Sequence, residues 1–567
     1  MKQNPLLLLL SLFTFLSSGQ NFEKKYLNNE TYSHEELMRA YEWLYDSYPG
    51  TKLEVYGKSD GGHPLHAFII GEGEAARANP DEYLTIMVMN GIHPGESDGI
   101  DACLHWCEDI LKNKWPINTV LVILPVYNVD GMLNRGVSRA NQNGPEEHGF
   151  RGNARNLDLN RDFIKMDSEN SRSFAHLFRS FDPDIFIDTH TSNGADYQYV
   201  MTLITSQEDK MDKPLAEYVY GSLEPELYKR MAKRGFEMVP YVNTLGETPE
   251  SGIVAFMETP RYSTGFTNLF QTISFVTETH MFKPYPQRVE ATRAFLEEIF
   301  SLAIRDWVKI EAARLAARNA LMLQNELALN WKLDTTQARA WLFKGFEATY
   351  ETSQVTGLPR LKYHRDKPFE KKISFFNHYT PTDFTAVPHA YILSQAWREV
   401  AYLLQNAGVE LIPLLRDTLI EGMWYYLESV SVTERMYEGR YPHRSYSLKE
   451  EKGIGQFYKG DFLVMTNDPT TRRFIFETLE PMGVDSYFRW NFFDPILGQK
   501  EWFSDYVFEE DALKMLENDP ALKEEYEQWK SNNPEAAKNA WQSLGFIYRR
   551  SPLYEATHNR YPLLRVN

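Results

Sequence analysis

Leu84-Thr85-Ile86-Met87-Val88-Met89, followed at once by Asn90-Gly91-Ile92-His93-Pro94-Gly95-Glu96, sets the architecture of this chain. A short apolar run bounded by turn residues reads as a strand buried on both faces, which is how strands of parallel sheets are built. Similar runs follow at 120–124, 185–187, 253–257 and 273–276, and helical patterns at 99–112, 171–181 and 224–233 lie between them. The alternation predicts an α/β unit, a mostly parallel mixed central sheet with helices on both faces. In such sheets ligand groups collect at the carboxyl ends of the strands. His93 and Glu96 stand at that kind of place, and a turn through Pro94 and Gly95 lets them converge as two ligands of a tetrahedral zinc must. Because His-x-x-Glu is common by chance, the pair decides nothing alone.

Working outward, residues 33–48 have helical spacing and stop at Pro49-Gly50, and 53–56 and 65–70 form a hairpin around Asp60-Gly61-Gly62. A helical pattern free of Pro and Gly runs over 289–329 and closes the first unit. From about 334 the texture changes. A helix at 393–406 ending on Gly408, strand-like runs at 422–430, 456–466 and 473–479, and an acidic helical segment at 509–543 predict a mixed α+β domain. The expected division is a signal peptide at 1–19, an α/β domain at 20–334 and a C-terminal domain of unknown role at 335–567, with no internal repeat. The aromatic groups Trp424-Tyr425-Tyr426 and Trp490-Asn491-Phe492-Phe493 read as core packing, with a carbohydrate or partner surface as the other reading.

The full 567 residues exceed one ordinary core, which stops growing near about 250–300 residues. With 43% hydrophobic and 24% charged residues the chain reads as folded, and its formal charge of −18 argues against nucleic acid as a partner. Lys2, the apolar residues 6–16 and Ser17-Ser18-Gly19 form an export signal too short to span a bilayer. The mature chain is expected to start near Gln20, to carry no integral membrane segment and to be secreted or periplasmic. Cys103 and Cys107, four apart in a helix, read as reduced core residues. Any metal must then be held by His and carboxylates.

Three further stretches carry chemistry. Arg151-Gly152-Asn153-Ala154-Arg155-Asn156-Leu157-Asp158-Leu159-Asn160-Arg161-Asp162-Phe163 is too polar for a buried strand and has the composition of a carboxylate clamp, or of a surface loop with ordinary ion pairs. Ile185-Phe186-Ile187-Asp188-Thr189-His190 is an apolar strand ending in His, and Phe275-Val276-Thr277-Glu278 one ending in a carboxylate. Together with His93-Pro94-Gly95-Glu96 these stretches resemble, in their order along the chain, the zinc metallocarboxypeptidase family over residues of about 30–300. The run from Arg151 to Phe163 is closest to the regulatory-type members, and His-Pro-Gly-Glu to the tubulin-trimming branch, a role the export signal argues against.

The resemblance implies one zinc held by His93, Glu96 and His190, a zinc-bound water activated by Glu278 as general base, and Arg151 stabilising the oxyanion. It further implies that Asn160 and Arg161 grip the free C-terminus of a peptide or protein substrate, and that Asp158 orients His93. Where the family places a mobile Tyr before its glutamate base, this chain has Phe256; Tyr262, nearer to Glu278, is the candidate to serve instead, with an ordinary packed Tyr as the other reading. Glu258 is the only acid in 251–268, so a preference for basic side chains is not clearly encoded. Two alternatives remain beside an exported carboxypeptidase. One is a zinc amidase or deacylase acting on cell-wall peptides or acyl amino acids. The other is a non-catalytic peptide-binding protein, against which the presence of His93, Glu96, His190 and Glu278 speaks.

Overall fold

A computed structural model describes residues 22–567, so the signal peptide expected at 1–19 lies outside the described residues. Ser33 caps the first helix, His34–Ser47, through a reciprocal capping box with Glu36. The hairpin follows as β1 (Thr51–Lys58) and β2 (Pro64–Ile70), and the chain then alternates through β3 (Leu84–Met89), β4 (Thr119–Leu124) and β5 (Ile185–Ser192). Next come β6 (Met201–Thr205), β7 (Met238–Pro240), the two-residue β8 (Ile253–Val254) and β9 (Ile273–His280). The central sheet has the order β1-β2-β4-β3-β5-β9-β6-β7. Strands β4, β3, β5 and β9 run parallel to their neighbours in that series, while β1, β2 and β6 supply antiparallel pairings.

Strand alternation divides the core in two. Leu84, Ile86 and Val88 of β3 point to the face covered by His34–Ser47, Asp98–Ile110 and the helix Tyr285–Met322. Met87 and Met89 point to the opposite face, where Phe174 and Phe178 of the helix Glu169–Phe181 meet Tyr391, Leu403, Phe474, Trp490 and Leu563 from the last third of the chain. The C-terminal part thus completes one face of the sheet. Cys103 and Cys107 are buried and unbridged in Asp98–Ile110.

Beyond the sheet stand β10 (Glu326–Leu333), the long hairpin β11 (Arg339–Thr352) and β12 (Pro359–Phe376), and β13 (Tyr379–Ala386). They are followed by β14 (Ala390–Leu393), β15 (Ile412–Pro413), β16 (Thr418–Val432), β17 (His443–Phe457), β18 (Phe462–Met465) and β19 (Leu563–Val566). β10 pairs with β13, β12 lies between β11 and β8, and the rest form a sheet ordered β15-β18-β14-β19-β16-β17.

Several expectations need correction. The helix expected over 289–329 ends at Met322, and 326–333 is a strand whose Leu327 and Leu329 are buried, so pairing with β13 overrides helix-forming residues. The run 253–257 gives only β8, outside the central sheet. Residues 473–479 alternate like a strand but form the helix Arg472–Leu479, because Phe474, Ile475, Phe476 and Leu479 are all buried on its several sides. The run 456–466 straddles the turn between β17 and β18, and 393 belongs to β14 rather than to the helix Arg398–Asn406. β6 and β7, short and flanked by polar residues, were not foreseen.

The long helix is fixed to the sheet by a buried ion cluster. Asp182, which ends Glu169–Phe181 at φ +43°, accepts from Arg314 at 3.1 Å, Arg318 at 2.5 Å and Arg179 at 3.2 Å, and Arg314 also reaches Asp184 at 2.6 Å. Although burial opposes ionisation, the three guanidinium groups hold the Asp182 carboxyl well below the usual range. Asp182→Asn, which suits the left-handed backbone, isolates the charge, whereas Asp182→Ala leaves buried cations short of a partner. Urea unfolding of Asp182→Ala is expected to show a loss of about 3 kcal/mol. A folded pKa lowered by these contacts means that the contribution is present above the unfolded Asp pKa and is lost as pH falls.

Candidate active site

β3 delivers the first two groups. After Met89 the chain turns through Gly91 at φ +65°, where a Cβ would come within 3.0 Å of Ile100, and the Glu96 amide donates to the His93 carbonyl at 2.8 Å. β5 carries His190, which lies directly opposite Glu278 of β9 in a parallel register. The two side chains therefore leave the sheet on the same face. His93, Glu96 and His190 each offer one ligand atom within 4.8 Å of the others, all three buried. The two Nδ1 atoms are 3.2 Å apart, and Glu96 Oε2 is 3.0 Å from His190 Nδ1.

The remaining ring nitrogens face carboxylates. His93 Nε2 is 2.8 Å from Asp158, and His190 Nε2 is 2.9 Å from Asp188, which also accepts from the Ser263 hydroxyl at 2.5 Å. Such carboxylates fix the tautomer and leave Nδ1 free as a donor to a metal. Two imidazoles and one carboxylate, with both rings held this way, fit zinc. Among the described residues this is the one group with that geometry.

The trio opens into a cavity of about 270 Å³, into which Arg139, Arg151, Asn160, Arg161, Tyr241, Phe256, Tyr262 and Glu278 also face. Arg151 donates to Asp158 at 2.8 and 3.0 Å and lies 3.4 Å from Glu96. Asn160 is held through its Oδ1 by the Ser263 amide at 3.2 Å, and the Arg161 guanidinium stands 4.6 Å over the Tyr262 ring. Phe256 packs edge-on against Tyr262 at 5.2 Å. Glu258 is buried elsewhere, paired with Lys210 at 3.2 Å, so it does not give the cavity an acid. Ile204 and Val276 supply apolar lining.

Burial pushes Glu278 up to about 8 against the pull of His190, with Glu96 adding to the rise. Burial opposes ionisation of Glu96 too, but Arg139 and His93 hold it well below the usual range. His190 goes well above its usual value, because Asp188 and Glu96 outweigh its desolvation.

All nine residues singled out from the sequence meet around this one cavity, Asp158 from just behind it. Sequence reasoning missed Arg139, whose guanidinium donates to Glu96 at 2.8 Å, and also Asp188, Ser263 and Tyr241. Asp188 had a signal: two residues before His190 in a strand, it must share that residue's face.

Residues 37–201 match the family model described as zinc carboxypeptidase, a span that contains every residue of the trio. The chain carries a zinc carboxypeptidase domain. Glu278 and Tyr262 lie beyond the matched span. Curated relatives include carboxypeptidase 2 of Trichophyton rubrum, 22% identical over 459 residues, 76% of this chain and 78% of the relative. Carboxypeptidase 2 of Trichophyton equinum is 22% identical over 482 residues, 80% of this chain and 81% of the relative. Among solved structures, a metallo-carboxypeptidase from Pseudomonas aeruginosa in complex with (2-guanidinoethylmercapto)succinic acid is 16% identical, covering 49% of this chain and 70% of that one, with a TM-score of 0.36. Carboxypeptidase A from Helicoverpa armigera is 13% identical, covering 53% and 77%, with a TM-score of 0.37. Among its described residues the chain has no helix long and apolar enough to cross a membrane.

Proposed function

We propose that the chain is an exported zinc carboxypeptidase that hydrolyses the last peptide bond of peptides or proteins. His93, Glu96 and His190 would hold one zinc ion. The observation that carries this reading is the meeting, in one cavity, of that trio, Glu278 opposite His190, and the Asn160–Arg161 pair. Export rests on Lys2 and the apolar residues 6–16.

When bound, zinc supplies a Lewis acid that polarises the scissile carbonyl and lowers the pKa of water towards about 7. Arg161 and the Asn160 side-chain amide hold the terminal carboxylate of the substrate. Glu278 takes the proton from the attacking water and passes it to the departing amine, while the Arg151 guanidinium donates to the oxygen that gains charge. Asp158 and Asp188 keep His93 and His190 in the tautomer that presents Nδ1. Tyr262, stacked under Arg161, covers the bound residue.

The test is a peptide-library digest of the purified full chain, read by mass spectrometry before chelation, after it, and after zinc is returned. Products shortened from the C-terminus, lost on chelation and restored by zinc, are expected. Internal cleavage, or full activity after chelation, would remove the proposal.

A further inference from the structure

The C-terminal part does more than cover the sheet, because one of its hairpins reaches the site. Beyond the paired ends of β16 and β17, Tyr437 and Arg440 exchange backbone hydrogen bonds at 2.8 and 3.1 Å around Glu438 and Gly439. Both of these residues have positive φ, +47° and +79°. A two-residue loop with both φ positive is a type I′ turn, which favours Asn, Asp or Gly at its first position. Glu is a poor residue there, since its longer side chain gives little local compensation for a left-handed backbone. Its carboxylate instead accepts from the Asp158 backbone N–H at 2.8 Å.

The turn is itself anchored. Arg440 donates to both oxygens of Asp167, at 2.5 and 2.9 Å, and to the Trp490 carbonyl at 2.6 Å. Tyr437 stacks on Trp490 with ring centroids 6.2 Å apart. Asp158 in turn contacts His93 through one carboxylate oxygen and Arg151 through the other. A connected path of contacts therefore runs from the hairpin tip through Asp158 to His93 and to the Arg151 guanidinium beside it.

We infer that Glu438, at the tip of the β16–β17 hairpin, is a positioning residue that orients the metal site through Asp158. The inference rests on the reading of His93 as a zinc ligand. It explains why a turn that would accept Asn carries Glu. Backbone strain at a non-glycine residue persists where the surrounding structure holds it and function uses it.

Glu438→Asn separates the two demands, because it suits the turn and removes the reaching carboxylate. The metal-free full-length variant is expected to melt at the wild-type temperature or above it. In competition with a chromophoric chelator it should bind zinc about three- to tenfold more weakly, less than the about 10–100-fold typical of direct outer partners of a ligand. Glu438→Gln keeps an acceptor of the same reach and is expected to hold zinc within about twofold of wild type. Unchanged zinc affinity in Glu438→Asn, an equal loss in Glu438→Gln, or a loss that tracks a lower melting temperature overturns the inference. A wild-type chain that binds no zinc overturns the ligand reading as well, so the two failures are told apart.

Discussion

A peptide ending in a C-terminal amide is expected to be hydrolysed about 10⁴-fold more slowly, in kcat/KM, than the same peptide with a free carboxylate. In the proposed mode of binding, Arg161 and Asn160 are already in place for an anion before substrate arrives. The guanidinium is held over Tyr262 and the amide of Asn160 is fixed by Ser263, so neither can turn away cheaply to find other partners. An amide leaves that positive charge beside a neutral group that also brings N–H donors of its own, and a site built for a hydrogen-bonded anion rejects such an analogue strongly. Matched peptide pairs measured under the same zinc concentration give the ratio directly. Near-equal rates would turn the assignment towards a zinc amidase that ignores chain ends.

Glu278→Gln is expected to lower kcat by about 10²–10⁴-fold while leaving zinc affinity close to wild type. Glutamine keeps the shape and the hydrogen-bonding reach of the side chain but cannot accept and return a proton. Since Glu278 lies opposite His190 but outside the ligand trio, metal content separates loss of the base from loss of the metal. The pH dependence has a defined sign. As the proposed base, Glu278 would work only when ionised, so kcat/KM is expected to rise with pH as its carboxyl loses its proton, and burial moves that point upward. A bound cation favours the charged form. The rising limb of the zinc-loaded enzyme is therefore expected between the ordinary Glu value of about 4.3 and the about 8 to which burial pushes the group without a metal. A kcat retained in Glu278→Gln, or a limb that survives the substitution, would reassign the base.

The parts legible in the sequence are those whose geometry is local. His93 and Glu96 share one turn, Asp158, Asn160 and Arg161 share another, and His190 and Glu278 follow apolar runs near the ends of β5 and β9, so residue type and neighbours together carry the signal. Arg139 has no such neighbours: it reaches Glu96 across the fold from a loop, and nothing local marks it. Tyr241 and Ser263 likewise acquire their places only when β6, β7 and β9 are assembled. The same division holds for secondary structure. Runs buried by strand neighbours on both sides, such as Leu84–Met89, are read correctly, whereas Arg472–Leu479 and Glu326–Leu333 take conformations dictated by what they pack against.

One face of the central sheet is roofed by Tyr391, Trp490, Phe493 and Leu563. A chain stopped after Met322 would present that greasy surface bare to water, with Met87, Phe174 and Phe178 at its centre, and such surfaces drive self-association. The peptidase half is therefore not a cassette that shuffling could move between proteins, and heating should melt both halves in a single step rather than release one as a stable remnant.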